Sequence, residues 1–126
     1  MPHRVMIVED DEPFRFAAER YLRAAGYDVI GAADSMAALD ALDHGVAVDL
    51  IITDIVMPEG KPHGLALARM ARLRRKVPCI FITGYQELVT AEATLPGRVF
   101  QKPVDFAALV NEVQLCLAEA PAESRA

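Results

Sequence analysis

Tryptophan is absent from the 126 residues, aromatic residues make up 6%, and there are 2 cysteines and 3 histidines. Cys79 and Cys116 lie far apart on apolar stretches, with no CxxC spacing and no histidine beside them. That pattern excludes an ordinary zinc site and reads as two reduced core thiols rather than a disulfide. No apolar run exceeds strand length, so no segment can cross a bilayer as a helix, and the start MPHRVMIVED lacks the long apolar core and cleavage site of a signal peptide. The expected location is the cytoplasm, with no membrane partner. Positive charge is scarce as well: 13 Lys and Arg stand against 18 Asp and Glu, a net charge of -5. Nucleic acid is therefore not an expected partner, because non-specific binding draws its affinity from phosphate neutralisation by clustered cations. The one basic run, Arg72, Arg74, Arg75 and Lys76, falls at a helix carboxyl end, where the macrodipole favours cations. His3, His44 and His63 read as surface residues.

What is present is a packed globule's composition, 53% hydrophobic and 25% charged, at the length of one domain. Apolar β-branched runs at Val5 to Val8, Tyr27 to Ala33, Asp49 to Asp54, Val77 to Thr83 and Arg98 to Gln101 alternate with helical patterns. The first helix follows the acidic cluster Glu9 to Glu12, with Asp11 or Glu12 as cap, Pro13 in the first turn and Gly26 as stop. Phe14, Ala18, Tyr21, Leu22 and Ala25 mark its inward face. Ser35 opens the second, with Met36, Leu39 and Leu42 inward and Gly45 ending it. The third runs from about Gly64 to Arg75 with Ala66, Met70 and Leu73 inward, and Arg69 and Arg72 outward. Tyr85 to about Ala93 is weakly helical. Asp105 caps a last helix with Phe106, Leu109, Val110, Val113, Cys116 and Leu117 on one face, and residues 120–126 form a flexible tail. Five such β-α units with continuous apolar strands predict an α/β fold, a doubly wound five-stranded parallel sheet covered on both faces. Right-handed crossovers then bring every strand's carboxyl end to one edge.

That edge collects chemistry. Taken alone, Asp54 at the end of DLIITD is as readily a polar strand terminus as a functional group. With Glu9 and Asp10 ending the first strand, Thr83 the fourth and Lys102 following the fifth, it becomes a site. Two carboxylates about 4 Å apart repel by roughly 4 kcal/mol at an effective dielectric of about 20, so three of them need protonation or a cation. An all-oxygen set without His or Cys favours Mg²⁺, which can also carry a phosphoryl group. Asp54 could then attack phosphorus while Lys102 and Thr83 take up charge on the phosphoryl oxygens.

The motifs VEDD after an apolar strand, TDIVMP, the Thr ending strand four and the Lys-Pro pair after strand five together resemble the response-regulator receiver domains of bacterial two-component signalling. The resemblance covers residues 4 to about 119. It implies the flavodoxin-like strand order 2-1-3-4-5, with residues 1–119 as the receiver. Asp54 would accept the phosphoryl group of a phosphohistidine on a sensor histidine kinase. Glu9, Asp10, Asp54 and the backbone carbonyl of Val56 would hold Mg²⁺, Thr83 and Lys102 would grip the phosphoryl oxygens, and the Lys102–Pro103 bond would be cis. Such a domain is a phosphoacceptor that assists its own phosphorylation and dephosphorylation, not an enzyme that turns over a substrate. It would signal in trans to a downstream protein or a histidine phosphotransfer protein, as a switch, a relay intermediate or a phosphate sink, and as a monomer or a phosphorylation-linked dimer. The surface of the fourth helix, fifth strand and last helix is the docking face it implies, since Thr83 and Lys102 border it. FITGY with a short fourth helix is similar to a variant subfamily ending strand four in Thr-Gly-Tyr and paired with HWE-type kinases.

Three departures from the family pattern stand out. The loop after Asp54 is longer, adding Gly60, Lys61, Pro62 and His63, and the stretch between Thr83 and Lys102 is shorter. Where receivers carry an aromatic residue three before the Lys, this chain has Val99, and alternation sends Phe100 to the other face. Two other readings are weaker. A small phosphatase with an Asp nucleophile needs a second carboxylate two residues on, where Val56 stands. A receiver that binds partners without phosphorylation would not need the intact acids, Thr and Lys.

Overall fold

The computed structural model describes residues 2–56, 63–74, 76–85 and 95–119. In chain order these form β1 (Arg4–Val8), α1 (Glu12–Ala24), β2 (Asp28–Ala32), α2 (Ser35–Asp43), β3 (Leu50–Asp54), α3 (Gly64–Arg74), β4 (Cys79–Thr83), β5 (Val99–Gln101) and a C-terminal helix (Phe106–Glu119). All pairings are parallel and the sheet order is β2-β1-β3-β4-β5, as the resemblance implies. The weak helix anticipated after Tyr85, the loop at 57–62, Arg75 and the tail from 120 lie outside the described residues. Among the described residues no helix is long and apolar enough to cross a membrane.

Alternation along the strands splits the core in two. Val5, Ile7, Leu50, Ile52, Ile80 and Ile82 join Ala18 and Leu22 of α1 and Leu109, Val113 and Leu117 of the C-terminal helix. Met6, Val8, Ile51, Cys79, Phe81 and Val99 join Ala38 and Leu39 of α2 and Leu67, Ala68 and Ala71 of α3 on the opposite face. Strands buried on both sides are apolar at nearly every position, Thr53 of β3 excepted, which is why their sequences read as continuous runs. Local signals start and stop the helices as their chemistry requires. Asp11 accepts from the Phe14 N–H at 3.3 Å to cap α1, and Asp105 accepts from the N–H groups of Ala107 and Ala108 to cap the last helix. Gly26 and Gly45 take positive φ just beyond α1 and α2.

The helix faces depart from the sequence reading in three places. On α3 the buried residues are Gly64, Leu67, Ala68 and Ala71, while Met70 is 37% and Leu73 87% exposed. The pattern favoured the larger apolar residues, but this helix approaches its strand through small ones. A Cβ on Gly64 would collide with the backbone of Asp54 and Ile55. On α2, Ala38 is buried and Met36 is half exposed. On α1, Ala18 and Leu22 are buried as anticipated, but Tyr21 and Ala25 are exposed, and Arg15 and Glu19 are buried in their place. Arg15 Nε lies 3.6 Å from Glu19, whose other oxygen meets Arg23 at 3.4 Å. Glycine at position 31 of β2 leaves room for this pair, since a Cβ there would collide with the Glu19 carboxylate.

Candidate functional site

Side-chain parity determines which groups meet at the carboxyl edge. Glu9 continues the alternation of Val5 and Ile7, and Asp54 that of Leu50 and Ile52, so both point toward the α1 face of the sheet. The Glu9 N–H extends the ladder by donating to the Ala32 carbonyl at 2.9 Å. Its side chain is fully buried. Glu9 Oε2 accepts from the Asp11 N–H at 3.1 Å, and its backbone carbonyl accepts from the Arg15 guanidinium at 2.7 Å. Asp54 is 6% exposed; Oδ1 accepts from the Val56 N–H at 3.1 Å. The Lys102 N–H donates to the Thr83 carbonyl at 2.8 Å, which seats the lysine at the end of β5 ahead of a cis Lys102–Pro103 bond. Its ammonium then reaches Asp54 Oδ2 at 3.0 Å and Glu9 Oε1 at 2.6 Å.

Thr83 ends β4 fully buried, one residue beyond Ile82, the partner of Asp54. Its Oγ1 accepts from the Tyr85 N–H at 3.1 Å. Asp10 is exposed, yet one oxygen from each of Glu9, Asp10 and Asp54 lies within 4.8 Å of the others. Glu9, Asp10, Asp54 and Lys102 thus meet at one edge, and Thr83 ends the neighbouring strand there.

Whether this cluster fits a cation can be judged from its charge. Three carboxylates share the Lys102 ammonium, which meets Glu9 Oε1 at 2.6 Å and Asp54 Oδ2 at 3.0 Å. The negative charge left over is what a divalent cation would neutralise. Hard oxygen ligands from three carboxylates suit Mg²⁺. Burial pushes the Glu9 carboxyl up to about 7, against the pull of Lys102 and with Asp54 adding to the rise. Partial burial works against the Lys102 charge, but the Glu9 and Asp54 carboxylates outweigh it and raise the lysine above its ordinary value. Glu9 and Lys102 therefore both hold protons more tightly than usual in the absence of a metal.

The remaining residues singled out from the sequence have other employment. His63 is exposed, and its Nδ1 accepts from the Ala66 N–H at 3.3 Å at the start of α3. His44 is exposed at the end of α2, 2.8 Å from the Asp40 carbonyl, an interaction that raises its pKa. Arg74 pairs with Asp43 at 2.6 Å and donates to the Met70 carbonyl at 2.8 Å, closing the end of α3 as a cation at a helix carboxyl end should. Neither Cys79 nor Cys116 forms a disulfide, and the Cys116 thiol donates to Glu112 Oε2 at 3.4 Å. Val56 and Tyr85 are 42% and 51% exposed beside the site. Two contacts were missed. Arg15 holds the Glu9 carbonyl, and the Lys102 ammonium lies 4.9 Å from the centroid of the Phe14 ring. A glycine within β2 signals the close approach that Arg15 and Glu19 exploit. Nothing in the sequence marks Phe14 as more than an apolar helix position.

Comparison with known proteins places this geometry. The model of the response regulator receiver domain matches residues 5–114. The transcriptional regulatory protein TorR of the TorCAD operon of Escherichia coli K12 is 36% identical over 117 residues, covering 90% of this chain and 50% of that protein. The sensor kinase CckA of Brucella abortus is 34% identical over 84 residues, covering 66% of this chain and 9% of the kinase. This chain therefore spans half or less of the length of these two curated relatives. The crystal structure of the receiver domain from the hybrid histidine kinase CckA superimposes with a TM-score of 0.75 at 34% identity, covering 90% of this chain and 98% of that one. The match over residues 5–114, the 2-1-3-4-5 sheet and the acidic edge agree, and the chain belongs to the response regulator receiver domain family of two-component systems.

Proposed function

We propose that Asp54 is the phosphoacceptor of a Mg²⁺-dependent signalling switch, loaded from a phosphohistidine on a sensor histidine kinase. The observation that carries this reading is the way Asp54 is held. One oxygen is fixed by the Val56 N–H and the other by Lys102, with Glu9 and Asp10 alongside. A carboxylate so held is oriented for attack, and a carboxylate nucleophile needs no general base. One of its oxygens forms a bond to phosphorus as the P–N bond to the imidazole breaks, and the imidazole takes up a proton from solvent.

Glu9, Asp10, Asp54 and the Val56 carbonyl would hold Mg²⁺, which supplies charge neutralisation for the phosphoryl oxygens. Lys102 follows the oxygens that it already meets at Asp54. Because Thr83 Oγ1 accepts from Tyr85, its hydroxyl proton is directed elsewhere and can serve a phosphoryl oxygen. Val56 and Tyr85 flank the site and restrict the approach of water, which sets the lifetime of the acyl phosphate. The domain, residues 1–119 with 120–126 as a tail, then docks on a partner protein, and the relay and sink roles differ only in where the phosphoryl group goes next. An HWE-type kinase is the partner class that the Thr83-Gly84-Tyr85 ending of β4 supports.

Incubation with acetyl phosphate and Mg²⁺, followed by intact-mass measurement, should add one phosphoryl group to the wild type and none to Asp54→Asn. An adduct that survives this substitution, or its absence with every donor and kinase tried, overturns the assignment.

A further inference from the structure

Lys102 has a third contact that the phosphoacceptor reading does not use. Besides its two carboxylate neighbours, its ammonium lies over the Phe14 ring, 4.9 Å from the centroid. Phe14 is in the first turn of α1, held there by the Asp11 cap. Its ring packs on Phe106 of the C-terminal helix, with centroids 5.4 Å apart, and the other neighbour of Phe106 is Tyr21, stacked at 5.0 Å. The three rings bridge α1 and the C-terminal helix, and Lys102 lies at the inner end of the row.

We propose that Phe14 is a positioning residue for Lys102, with Phe106 buttressing it, so that an aromatic ring rather than the carboxylates alone keeps the ammonium over Asp54. The inference rests on Asp54 as phosphoacceptor. Its physical basis is a difference among the three contacts. Glu9 and Asp54 attract Lys102 strongly only while their charge is not shared with another cation, whereas the ring's quadrupole attraction is unaffected by what the carboxylates bind. Once a divalent cation neutralises the acids, Lys102 would otherwise be released to solvent, which it already reaches with a quarter of its side-chain surface. Phe14 holds it in place through that exchange, and Phe106 buttresses the ring beside the core of the α1 face. A plain apolar residue of similar bulk would fill the same space without this attraction.

The chain has lysines only at positions 61, 76 and 102. Labelling lysine at Cε with ¹³C therefore gives a small set of NMR signals, and Lys102→Arg identifies the one of interest. Protons above a ring face are shielded, so the Lys102 ε-methylene signal should lie upfield of the other two, and should stay there when Mg²⁺ is added. Phe14→Leu should return it to the position of the others, Phe14→Tyr should keep it upfield, and Phe106→Leu should move it part of the way. The rate of phosphorylation by acetyl phosphate should fall about five-fold in Phe14→Leu, the size expected of one partly exposed cation–π contact, and recover in Phe14→Tyr. A wild-type Lys102 signal that coincides with the other lysines overturns the inference. So does an upfield signal that persists in Phe14→Leu, or a rate in that variant equal to the wild type. A wild type that gains no phosphoryl group would instead overturn the phosphoacceptor assignment, and the NMR comparison would still report on the contact itself.

Discussion

Replacing Asp10 with Asn should make the metal-free protein more stable and the Mg²⁺-saturated protein less so. The three carboxylate oxygens of Glu9, Asp10 and Asp54 lie within 4.8 Å of one another. At that separation a pair of unit charges repels by about 3.5 kcal/mol at an effective dielectric of 20 and about 0.9 kcal/mol in bulk water. Asp10 is exposed, so the wet limit is the relevant one for its interaction with each of the two others. Lys102, paired with Glu9 and Asp54, already offsets part of the charge that Asp10 faces. The net relief on removing the charge is then about 1 kcal/mol, which for a domain of this size raises the melting temperature by roughly 3–5 °C. Mg²⁺ acts in the opposite direction. Bound at a hundred times its dissociation constant it stabilises the folded state by about 2.7 kcal/mol, and a variant lacking one ligand forfeits most of that. The assay is thermal unfolding of wild type and Asp10→Asn, with and without saturating Mg²⁺. It belongs above pH 7, where Glu9, pushed up to about 7 by burial, carries its charge. Added monovalent salt should shrink the metal-free gain, because exposed charges are screened. If Asp10→Asn melts with the wild type without metal and keeps the full Mg²⁺ shift, Asp10 is not part of the cluster and the repulsion attributed to it is wrong.

Gly31→Ala should displace the Glu19 carboxylate, the far end of a flexible side chain, from Arg15, so the cost in urea unfolding should stay below about 1 kcal/mol. Glu19→Ala in the same chain should remove that cost, and a loss of several kcal/mol that Glu19→Ala does not relieve would show that the Arg15–Glu19 pair is not packed against β2 as described. Cys79 is 3% exposed and its thiol is pushed up to about 11 by burial, so a thiolate-directed alkylating reagent at neutral pH should modify Cys116 first. The same shift adds stability that is complete below pH about 9, the ordinary thiol value, and is lost as pH rises toward about 11. Equal labelling of the two thiols by mass spectrometry contradicts this. Val56→Asn and Tyr85→Ala should each speed loss of the phosphoryl group from Asp54; decay at the wild-type rate in both removes their role as a water shield.

The sheet and its edge were legible in the sequence because a parallel strand buried on both faces is apolar almost throughout, and apart from Thr53 the buried polar side chains of β1, β3 and β4 stand where each run ends. Glu9, Asp54 and Thr83 are those breaks. Helix faces were harder to read. On α3 the buried stripe is built on Gly64, Ala68 and Ala71, whose small size suits close approach to β3 but gives little hydrophobic signal, while Leu73 is 87% exposed. On α1, Arg15 and Glu19 are charged and yet buried, a placement that depends on a missing side chain at Gly31 of the adjoining strand β2. No local pattern records such an arrangement, because each member is ordinary until the strand and helix are packed together.

The same limit explains why Phe14 escaped notice while Val99 drew attention. Val99 lies with Phe81 in the core on the α2 and α3 face, 5% exposed, and Thr83 continues the parity of Phe81. Phe100 has the opposite parity and packs with the α1 side, its ring 5.5 Å from the Arg98 guanidinium. Continuing that alternation past Gln101 sends Lys102 toward α1 as well, the side on which Glu9 and Asp54 point. The edge is therefore divided: the two carboxylates and the lysine act from the α1 face, and Thr83 with Val99 from the other. An aromatic residue at 99 would have stood beside Thr83. In this chain the ring over the Lys102 ammonium stands instead on the lysine's side and comes from α1, so the aromatic contact lies on the face that carries the charges.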